Sequence, residues 1–376
     1  MTYDKYKRWK QKHDLKEAKR RHEFRKYKRD FRRRTQGLPK AKIGEYNLNR
    51  YSPYSNEVDK NDLKNGFKDY KHVPAPKDFS MVGNPEEFIS FVHDVQECYK
   101  KKQKVFIEMA DIENLSDDAI VILLSNMIRF KEHHIRFNGD FPKNEIACNK
   151  LKKSGFFRHL YRRSGPSINN MEGTIYTHGN KKADSVFSSE IIEASRRFVW
   201  GEPRRCPGIQ NTFTELMANT YKHASKDVEG KHYWWMSMTK DEKEHKVVYG
   251  FVDYGVGIFN SLNHKQPGDR LYAAFQKLKS EFSMLPFGKA NDKIMEKILK
   301  GELHKTVTKQ TNRGKGLPSI YKNWERNEID SLVIITNNVY ANVKNGDYHL
   351  LGNEFVGTFV KWEMNPNIKN LRNNNG

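Results

Sequence analysis

The stretch TELMANTYKHA, residues 214–224, carries acidic, amide and basic side chains at spacings that suit phosphate chemistry. On a helix that turns about 100° per residue, Glu215, Asn219 and Lys222 lie on one face, opposite the apolar positions. A carboxylate can serve as a general base, and an amide oxygen is a hard donor that suits Mg²⁺. An ordinary amphipathic helix with its polar face in water would have the same pattern, so neighbouring segments must decide.

A second stretch, GFVDYGVGI, ends an apolar run with a carboxylate and two glycines. The pattern predicts a strand that ends at Asp253, followed by a turn in which Gly255 and Gly257 let the backbone approach a ligand closely. An ionised aspartate only accepts hydrogen bonds, so it suits the exocyclic amine of adenine and disfavours the carbonyl of guanine. A plain hairpin turn would also fit these residues.

A third stretch, NRGKGLPSI, interleaves Arg313 and Lys315 with Gly314 and Gly316 and then enters a predicted helix. Free backbone N–H groups at a helix N-terminus, flanked by cations, form an anion site that suits phosphates. Taken alone, this stretch indicates an anion site without identifying the ligand.

The order of these segments resembles the motifs of the GHKL superfamily, whose Bergerat-type ATP-binding fold occurs in DNA gyrase, histidine kinases and mismatch-repair ATPases. The resemblance rests on ELMANTYKHA, DYGVGI, RGKGL and a terminal GT strand at Gly357 and Thr358, and it covers about residues 185–364. It implies an α+β protein with a two-layer α/β sandwich of Bergerat type that binds ATP and Mg²⁺. The ordered combination is more specific than any single motif.

The resemblance also implies roles for individual residues. Glu215 would be the general base that polarises the attacking water or hydroxyl, Asn219 would ligate Mg²⁺, and Asp253 would read the adenine amine. Gly255 and Gly257 would allow close approach to the nucleotide. The other residues implied for nucleotide binding are Lys222, His223, Arg313, Gly314, Lys315, Gly316, Leu317 and Thr358.

Within this set, Thr358 would support the adenine subsite, and Gly314 and Gly316 would wrap the phosphates. Arg313 or Lys315 would contact the γ-phosphate.

Two features depart from the family pattern. Lys222 and His223 stand where the family often has a single basic residue, so the sequence leaves open which of them approaches the phosphates. The predicted lid, about residues 259–312, is mainly helical and is longer and more charged than a minimal lid. We expect ATP and Mg²⁺ to order this segment.

An earlier segment, KVFIEMADIENLSDDAIVILLSNM, resembles the strand, loop and helix of STAS domains, the fold of anti-sigma factor antagonists. Alternating helices and strands predict a small α/β domain over residues 77–165. In that family a phosphorylatable Ser or Thr opens the helix; here Asp117 and Asp118 align with it, and Ser116 comes one residue earlier. An acidic residue at a helix start is also an ordinary cap.

The remaining chain is polar and strongly basic. The 376 residues carry a net charge of +22, and residues 1–34 hold half of it, with 16 Lys or Arg against five Asp or Glu. We expect no hydrophobic core in the linker before the first domain. The segments outside the two predicted domains are a basic arm at 1–40, a polar linker at 41–76, a connector at 166–184 and a polar tail at 365–376.

The basic arm alternates its charges with aromatic residues. Cations that neutralise phosphates, together with rings that stack on bases, are typical of a nucleic-acid contact. Phe24, Tyr27 and Phe31, at helical spacing, could equally line a partner helix, and a solvated charged helix would look similar. Nucleic acid is therefore one expected partner of residues 1–34.

Cysteine content and hydropathy restrict the class of protein. Cys98, Cys148 and Cys206 are far apart and form no CxxC pair, which argues against a disulfide framework and a zinc cluster. No run approaches the roughly 18 apolar residues of a membrane span, and no apolar segment follows the N-terminal charges. We therefore expect a cytoplasmic protein that does not associate with membranes.

These observations give three functional hypotheses. The first is an Mg²⁺-dependent ATPase of GHKL type that hydrolyses slowly and switches the STAS-like domain, which would bind a protein partner, and the basic arm. The second is a protein serine/threonine kinase like the anti-sigma factor kinases. The third is a nucleic-acid-binding scaffold that uses ATP only as a conformational ligand. The sequence leaves open whether the chain forms a homodimer.

Overall fold

The computed structural model describes residues 66–161, 175–179, 185–202, 204–223, 234–265, 269–282, 290–305 and 316–372. In these ranges the helices are α1 (Pro85–Lys100), α2 (Asp117–Glu132), α3 (Glu145–Lys153), α4 (Phe156–Tyr161), α5 (Ser185–Trp200), α6 (Pro207–His223), α7 (Ile258–Asn263), α8 (Arg270–Ser280), α9 (Asn291–Leu299), α10 (Glu302–Lys305) and α11 (Gly316–Glu325). The strands are β1 (Lys71–Pro74), β2 (Asp78–Phe79), β3 (Val105–Glu108), β4 (Asn114–Leu115), β5 (Phe137–Gly139), β6 (Ile175–Gly179), β7 (Arg204–Arg205), β8 (Trp234–Asp241), β9 (Lys246–Asp253), β10 (Asp330–Asn342), β11 (Asp347–Met364) and β12 (Leu371–Arg372). The mixed α and β content agrees with the predicted α+β class.

The first unit, residues 66–161, is built around a three-stranded parallel sheet in the order β1-β3-β5. Helix α1 begins with Pro85 and has Glu86 and Glu87 in its first turn, where a proline and negative charges favour a helix start. Helix α2 is apolar around most of its circumference, and Ile120 and Leu124 are fully buried. A helix of this composition is stable only when it is covered on several sides.

The second unit, residues 175–372, contains a five-stranded antiparallel sheet in the order β10-β11-β9-β8-β6. The long β10–β11 hairpin has register shifts between Thr336 and Val339, where the pairing is irregular. One face of this sheet packs against α5, α6 and α11 through a core that includes Phe251 and Val360. The layer of helices on this face positions the candidate site.

The opposite face of the same sheet is covered by the first unit. Trp235, Val252, Phe355 and Phe359 of the sheet belong to the same apolar cluster as the interior of the first unit. Both faces of the central strands are therefore buried, which explains why β8, β9 and β11 are apolar at successive positions instead of alternating with polar residues. The two units share one continuous core.

Two strands and four helices differ from the sequence-based expectations. Strand β1 lies in the segment predicted as a linker without a core, yet Val73 is buried and β1 pairs with β3, so that expectation is wrong for this part of the segment. Strand β6 lies in the predicted connector and extends the large sheet beside β8. Helices α7 to α10 of the predicted lid are packed into the core of the second unit, α7 and α9 directly against β10, with Met295 and Leu299 fully buried.

The expected ordering of the lid by ATP therefore does not concern α7 to α10, which already contribute to the core. It stays a prediction for 306–312, which lies outside the described residues together with the arm at 1–40. None of the helices in the described ranges is long and apolar enough to cross a membrane.

The shared core makes a stability prediction. Phe355 is fully buried where the sheet meets the first unit, whereas its neighbour Val356 is 47% exposed. Phe355→Ala should lower the free energy of unfolding by about 3–5 kcal/mol, because it leaves a cavity between the units. Val356→Ala, the matched control, should change it by less than about 0.5 kcal/mol. Urea denaturation of both variants measures the difference, and equal effects would contradict the shared core.

Candidate functional site

The carboxylate of Asp253 is buried at the end of β9. Its side chain is 9% exposed, and its Oδ1 accepts a hydrogen bond from the Gly255 N–H at 2.8 Å. The side chain of Thr220, on α6, lies beside this carboxylate, and its hydroxyl donates to the Leu216 carbonyl at 3.2 Å. Burial raises the pKa of Asp253 to about 6, although the Gly255 N–H and the nearby Thr220 side chain favour the ionised form. The group is therefore an ionised acceptor at neutral pH.

Asp253 belongs to a row of polar residues across three neighbouring strands. In the register of the sheet, Asp253 of β9 is opposite Thr358 of β11, and Thr358 is opposite Thr336 of β10. The hydroxyl of Thr336 donates to the Gly357 carbonyl at 3.0 Å and approaches the Thr358 hydroxyl at 3.3 Å. A carboxylate and two hydroxyls thus lie together on the face of the sheet that carries α6.

The loop after Asp253 is held in place by the side chain of Asn337. The Asn337 Nδ2 donates to the Val256 carbonyl at 3.0 Å, and its Oδ1 accepts from the Phe259 N–H at 3.0 Å. Gly257 has φ 77°, and a Cβ at this position would lie 2.4 Å from the Asn337 Oδ1. Only glycine fits here, because both the backbone conformation and the space exclude a side chain.

The polar face of α6 meets α11. Asn211 Oδ1 accepts hydrogen bonds from Ser319 Oγ at 2.8 Å and from Asn323 Nδ2 at 2.9 Å. Glu215 and Asn219 follow Asn211 at intervals of four residues, so they continue the same face toward the start of α11. The polar face of α6 is therefore packed against α11 and is not exposed only to water.

Gly316, the first residue of α11, is the point of closest approach to that face. A Cβ on Gly316 would lie 2.9 Å from the Asn219 Nδ2 and 3.1 Å from the Glu215 Oε2. Glu215 and Asn219 thus pack directly against the backbone at the α11 N-terminus, where a side chain on residue 316 would collide with them. The first N–H groups of α11 have no partner within the helix, and the helix dipole places partial positive charge beside them.

The groups that meet here suit the chemistry of a phosphate with its metal ion. Asn219 supplies an amide oxygen, Glu215 supplies a carboxylate, and the α11 N-terminus supplies N–H donors for an anion. Among the described residues, no three His, Cys, Asp or Glu side chains are grouped so that they could hold a metal ion. A Mg²⁺ ion held through Asn219 would complete its coordination with phosphate oxygens and waters, which is its usual preference.

The structure brings several predicted site residues together. Glu215 and Asn219 contact Gly316, and Thr220, next to Asn219, lies beside Asp253, which is paired with Thr358. The placement of the remaining predicted residues is as follows: Gly255 and Gly257 in the loop after Asp253, Leu317 partly buried in α11, Lys222 and His223 in the last turn of α6, and Arg313, Gly314 and Lys315 outside the described residues.

Three residues of this region, Thr220, Thr336 and Asn337, were not identified from the sequence. Thr220 lies within the motif ANTYKH, in which only its neighbours were matched to a functional pattern. Thr336 and Asn337 follow the apolar run LVII in the middle of β10, and polar residues that interrupt a buried strand are a signal that could have identified them. Their role depends on strand pairing between segments that are far apart in sequence.

Ser116 occupies the N-cap position of α2. Its hydroxyl accepts from the Ala119 N–H at 3.4 Å and donates to the Phe79 carbonyl at 3.1 Å. Asp118 supports the same helix start, since its Oδ1 accepts from the Ala119 N–H at 2.6 Å. Ser116, Asp117 and Asp118 line a cleft of about 610 Å³ between the first unit and the sheet. The capping role predicted for an acidic residue is thus shared by Ser116 and Asp118.

Comparison with protein-family models, with curated proteins and with solved structures gives no significant match. The class of protein is therefore inferred from the site.

The raised pKa of Asp253 predicts how stability depends on pH. Asp253 has a pKa of about 6 in the folded chain and the ordinary value of 3.8 in the unfolded chain, so its protonated form stabilises the fold at low pH. That stability is lost as the pH rises through about 6. Asp253→Asn stays neutral, and above about pH 7 it should be more stable than the wild type by roughly 2 kcal/mol.

The advantage of Asp253→Asn should disappear below about pH 4, where the wild-type carboxyl is protonated in the folded chain. Urea denaturation across this pH range measures the difference, with Asp347→Asn, an exposed position, as the control. A stability difference that does not change with pH would contradict the assignment of the raised pKa to Asp253.

Proposed function

We propose that this chain binds ATP with Mg²⁺ and hydrolyses it slowly, through a GHKL-type module of Bergerat fold that switches a STAS-like interaction unit. The proposal rests on one observation. Glu215 and Asn219 of α6 contact Gly316 of α11, and α6 also contacts the buried Asp253. Three segments far apart in sequence thus contribute to one region. The antiparallel sheet with helices on one face and the parallel sheet of the first unit support the two fold assignments.

The adenine end of the proposed site is the row at Asp253. The Asp253 carboxylate accepts a hydrogen bond from the exocyclic amine, and its buried surroundings strengthen that bond relative to one in water. Thr358, beside it in the sheet, supports the same subsite. An acceptor at this position disfavours guanine, which presents a carbonyl instead of an amine.

The phosphate end is the start of α11 at Gly316, which Glu215 and Asn219 contact. The N–H groups of the α11 N-terminus bind phosphate oxygens, Asn219 holds the ion, and Glu215 accepts a proton from the attacking water. Mg²⁺ supplies charge neutralisation to the phosphates when it is bound. Arg313 and Lys315, with Gly314, precede α11 directly in sequence, and we propose that they add cationic contacts to the γ-phosphate.

The two ends make separate predictions for binding. Asp253→Asn should weaken ATP binding by about 10- to 100-fold, because it replaces a charged acceptor for the adenine amine. Asp241→Asn, at the opposite end of the β8–β9 hairpin, is the matched control and should leave the affinity unchanged. Isothermal titration with ATP and Mg²⁺ measures both. Unchanged affinity in Asp253→Asn would refute the assignment of Asp253 as the adenine contact. If the affinity falls while the variant is more stable than the wild type, unfolding is excluded as the cause of the weaker binding.

The reaction itself is tested by the fate of the γ-phosphate. Glu215→Ala should lower the release of labelled phosphate from ATP by about 10²- to 10⁴-fold, since the general base is lost, while ATP still binds. Label on protein that is lost in Glu215→Ala would instead establish kinase activity. ATP binding without any transfer of label would favour the scaffold hypothesis. That hypothesis also predicts a salt-dependent affinity for nucleic acid that is abolished by deletion of residues 1–40.

A further inference from the structure

Tyr254, between the proposed adenine-reading Asp253 and Gly255, extends its side chain into the first unit. The Asn126 Nδ2 donates to the Tyr254 hydroxyl at 2.9 Å, and that hydroxyl lies 3.3 Å from the Ile122 carbonyl. The Ser125 hydroxyl is also hydrogen-bonded to it. Asp253 contacts α6 on one side of the sheet, whereas the next residue contacts α2 on the other. This divergence follows from the alternation of side chains along an extended chain.

The ring of Tyr254 is also held by α2. The Arg129 guanidinium lies 5.3 Å from the centre of the Tyr254 ring and 4.5 Å from that of Tyr99, on α1. Ile122, Ser125, Asn126 and Arg129 recur at spacings of three and four residues, so they present one continuous stripe of α2 to this tyrosine. Burial raises the pKa of Tyr254 to about 12, which keeps its hydroxyl neutral and able to donate.

The loop that contains Tyr254 is therefore held from both sides of the sheet. The Gly255 N–H bonds to Asp253 at 2.8 Å, the Val256 carbonyl accepts from Asn337 at 3.0 Å, and Tyr254 is anchored on α2. A loop fixed before binding saves the conformational entropy that ligand binding would otherwise cost. The contribution of α2 to this rigidity comes through Tyr254.

We propose that Tyr254 is a positioning residue that ties the adenine-binding loop to α2, so that the affinity for adenosine nucleotides depends on the first unit. Because coupling between two sites is reciprocal, nucleotide binding in turn stabilises α2 on the sheet. This inference rests on the proposed function. It adds that the first unit senses the nucleotide directly, at the residue next to the adenine contact.

A set of variants separates this role from general stability. Tyr254→Phe removes the hydroxyl and keeps the ring, and Arg129→Met removes the cation and keeps a long apolar side chain. Glu86→Ala is the matched control, since Glu86 of α1 accepts a hydrogen bond from the Gly352 N–H at 2.7 Å and so joins the same two units away from the loop. Thermal melting of each variant verifies folding.

We expect Tyr254→Phe and Arg129→Met each to weaken binding of ATP with Mg²⁺ by about fivefold in isothermal titration, since each removes one anchor of the loop. Glu86→Ala should bind like the wild type, even if its melting temperature falls. Affinity unchanged in both loop variants would overturn the inference, and so would an equal loss in Glu86→Ala. A wild type that does not bind ATP would instead refute the proposed function, and this inference with it.

Hydrogen exchange of the unaltered chain supplies a second measurement that does not depend on how a variant folds. ATP with Mg²⁺ should slow the exchange of amides in residues 117–132, the helix that contacts Tyr254 but not the nucleotide. Exchange in α3, which packs against α4 and β4, is the internal control. Wild-type ATP binding without any change in α2 would overturn the inference while leaving the proposed function in place.

Discussion

A buried carboxylate at the end of β9 is the constraint on which the proposed site depends. Ionised groups are costly to bury, so a carboxylate persists in such a position only with donors beside it. Here the Gly255 N–H donates to the carboxylate and the Thr220 side chain lies beside it, and each residue belongs to a segment of the proposed nucleotide site. Thr220 places α6, with Asn219 and Glu215 on it, next to Asp253, and thereby relates the proposed adenine end to the proposed phosphate end.

The second constraint is the close approach of α6 and α11. Asn211 and Asn323 bond across the two helices, and at the end of this contact Gly316 leaves no room for a side chain beside Glu215 and Asn219. The contact is polar, and it lies at a helix N-terminus. Packing on the opposite face of the sheet then places the first unit directly beneath the loop proposed to bind adenine, because both units share one core.

Much of this arrangement could be predicted from the sequence, for reasons that differ between elements. Helices α1 and α2 and strand β9 follow from apolar periodicity and from end signals such as Pro85 and Asp253. The proximity of Glu215, Asn219 and Gly316 was expected from the order of three motifs and agrees with the observed contacts. The assignment of these motifs to a family stays a prediction.

Other features could not be predicted, because they depend on partners far away in sequence. Strands β1 and β6 are short and lie in polar segments, so only their pairing with β3 and β8 defines them. The polar face of α6 resembles a solvated surface until α11 is placed on it. Helices α7 to α10 resemble a lid until their apolar faces are packed into the core of the second unit. The anchoring of Tyr254 on α2 requires the relative position of both units.

The most direct test of the central claim is a crystal structure of the chain with Mg²⁺ and a non-hydrolysable ATP analogue. We expect the adenine amine within about 3.2 Å of the Asp253 carboxylate. The phosphate oxygens should lie at the α11 N-terminus beside Gly316, with the ion held through Asn219. A nucleotide bound elsewhere, or a crystal soaked at saturating concentration with no nucleotide between these residues, would contradict it.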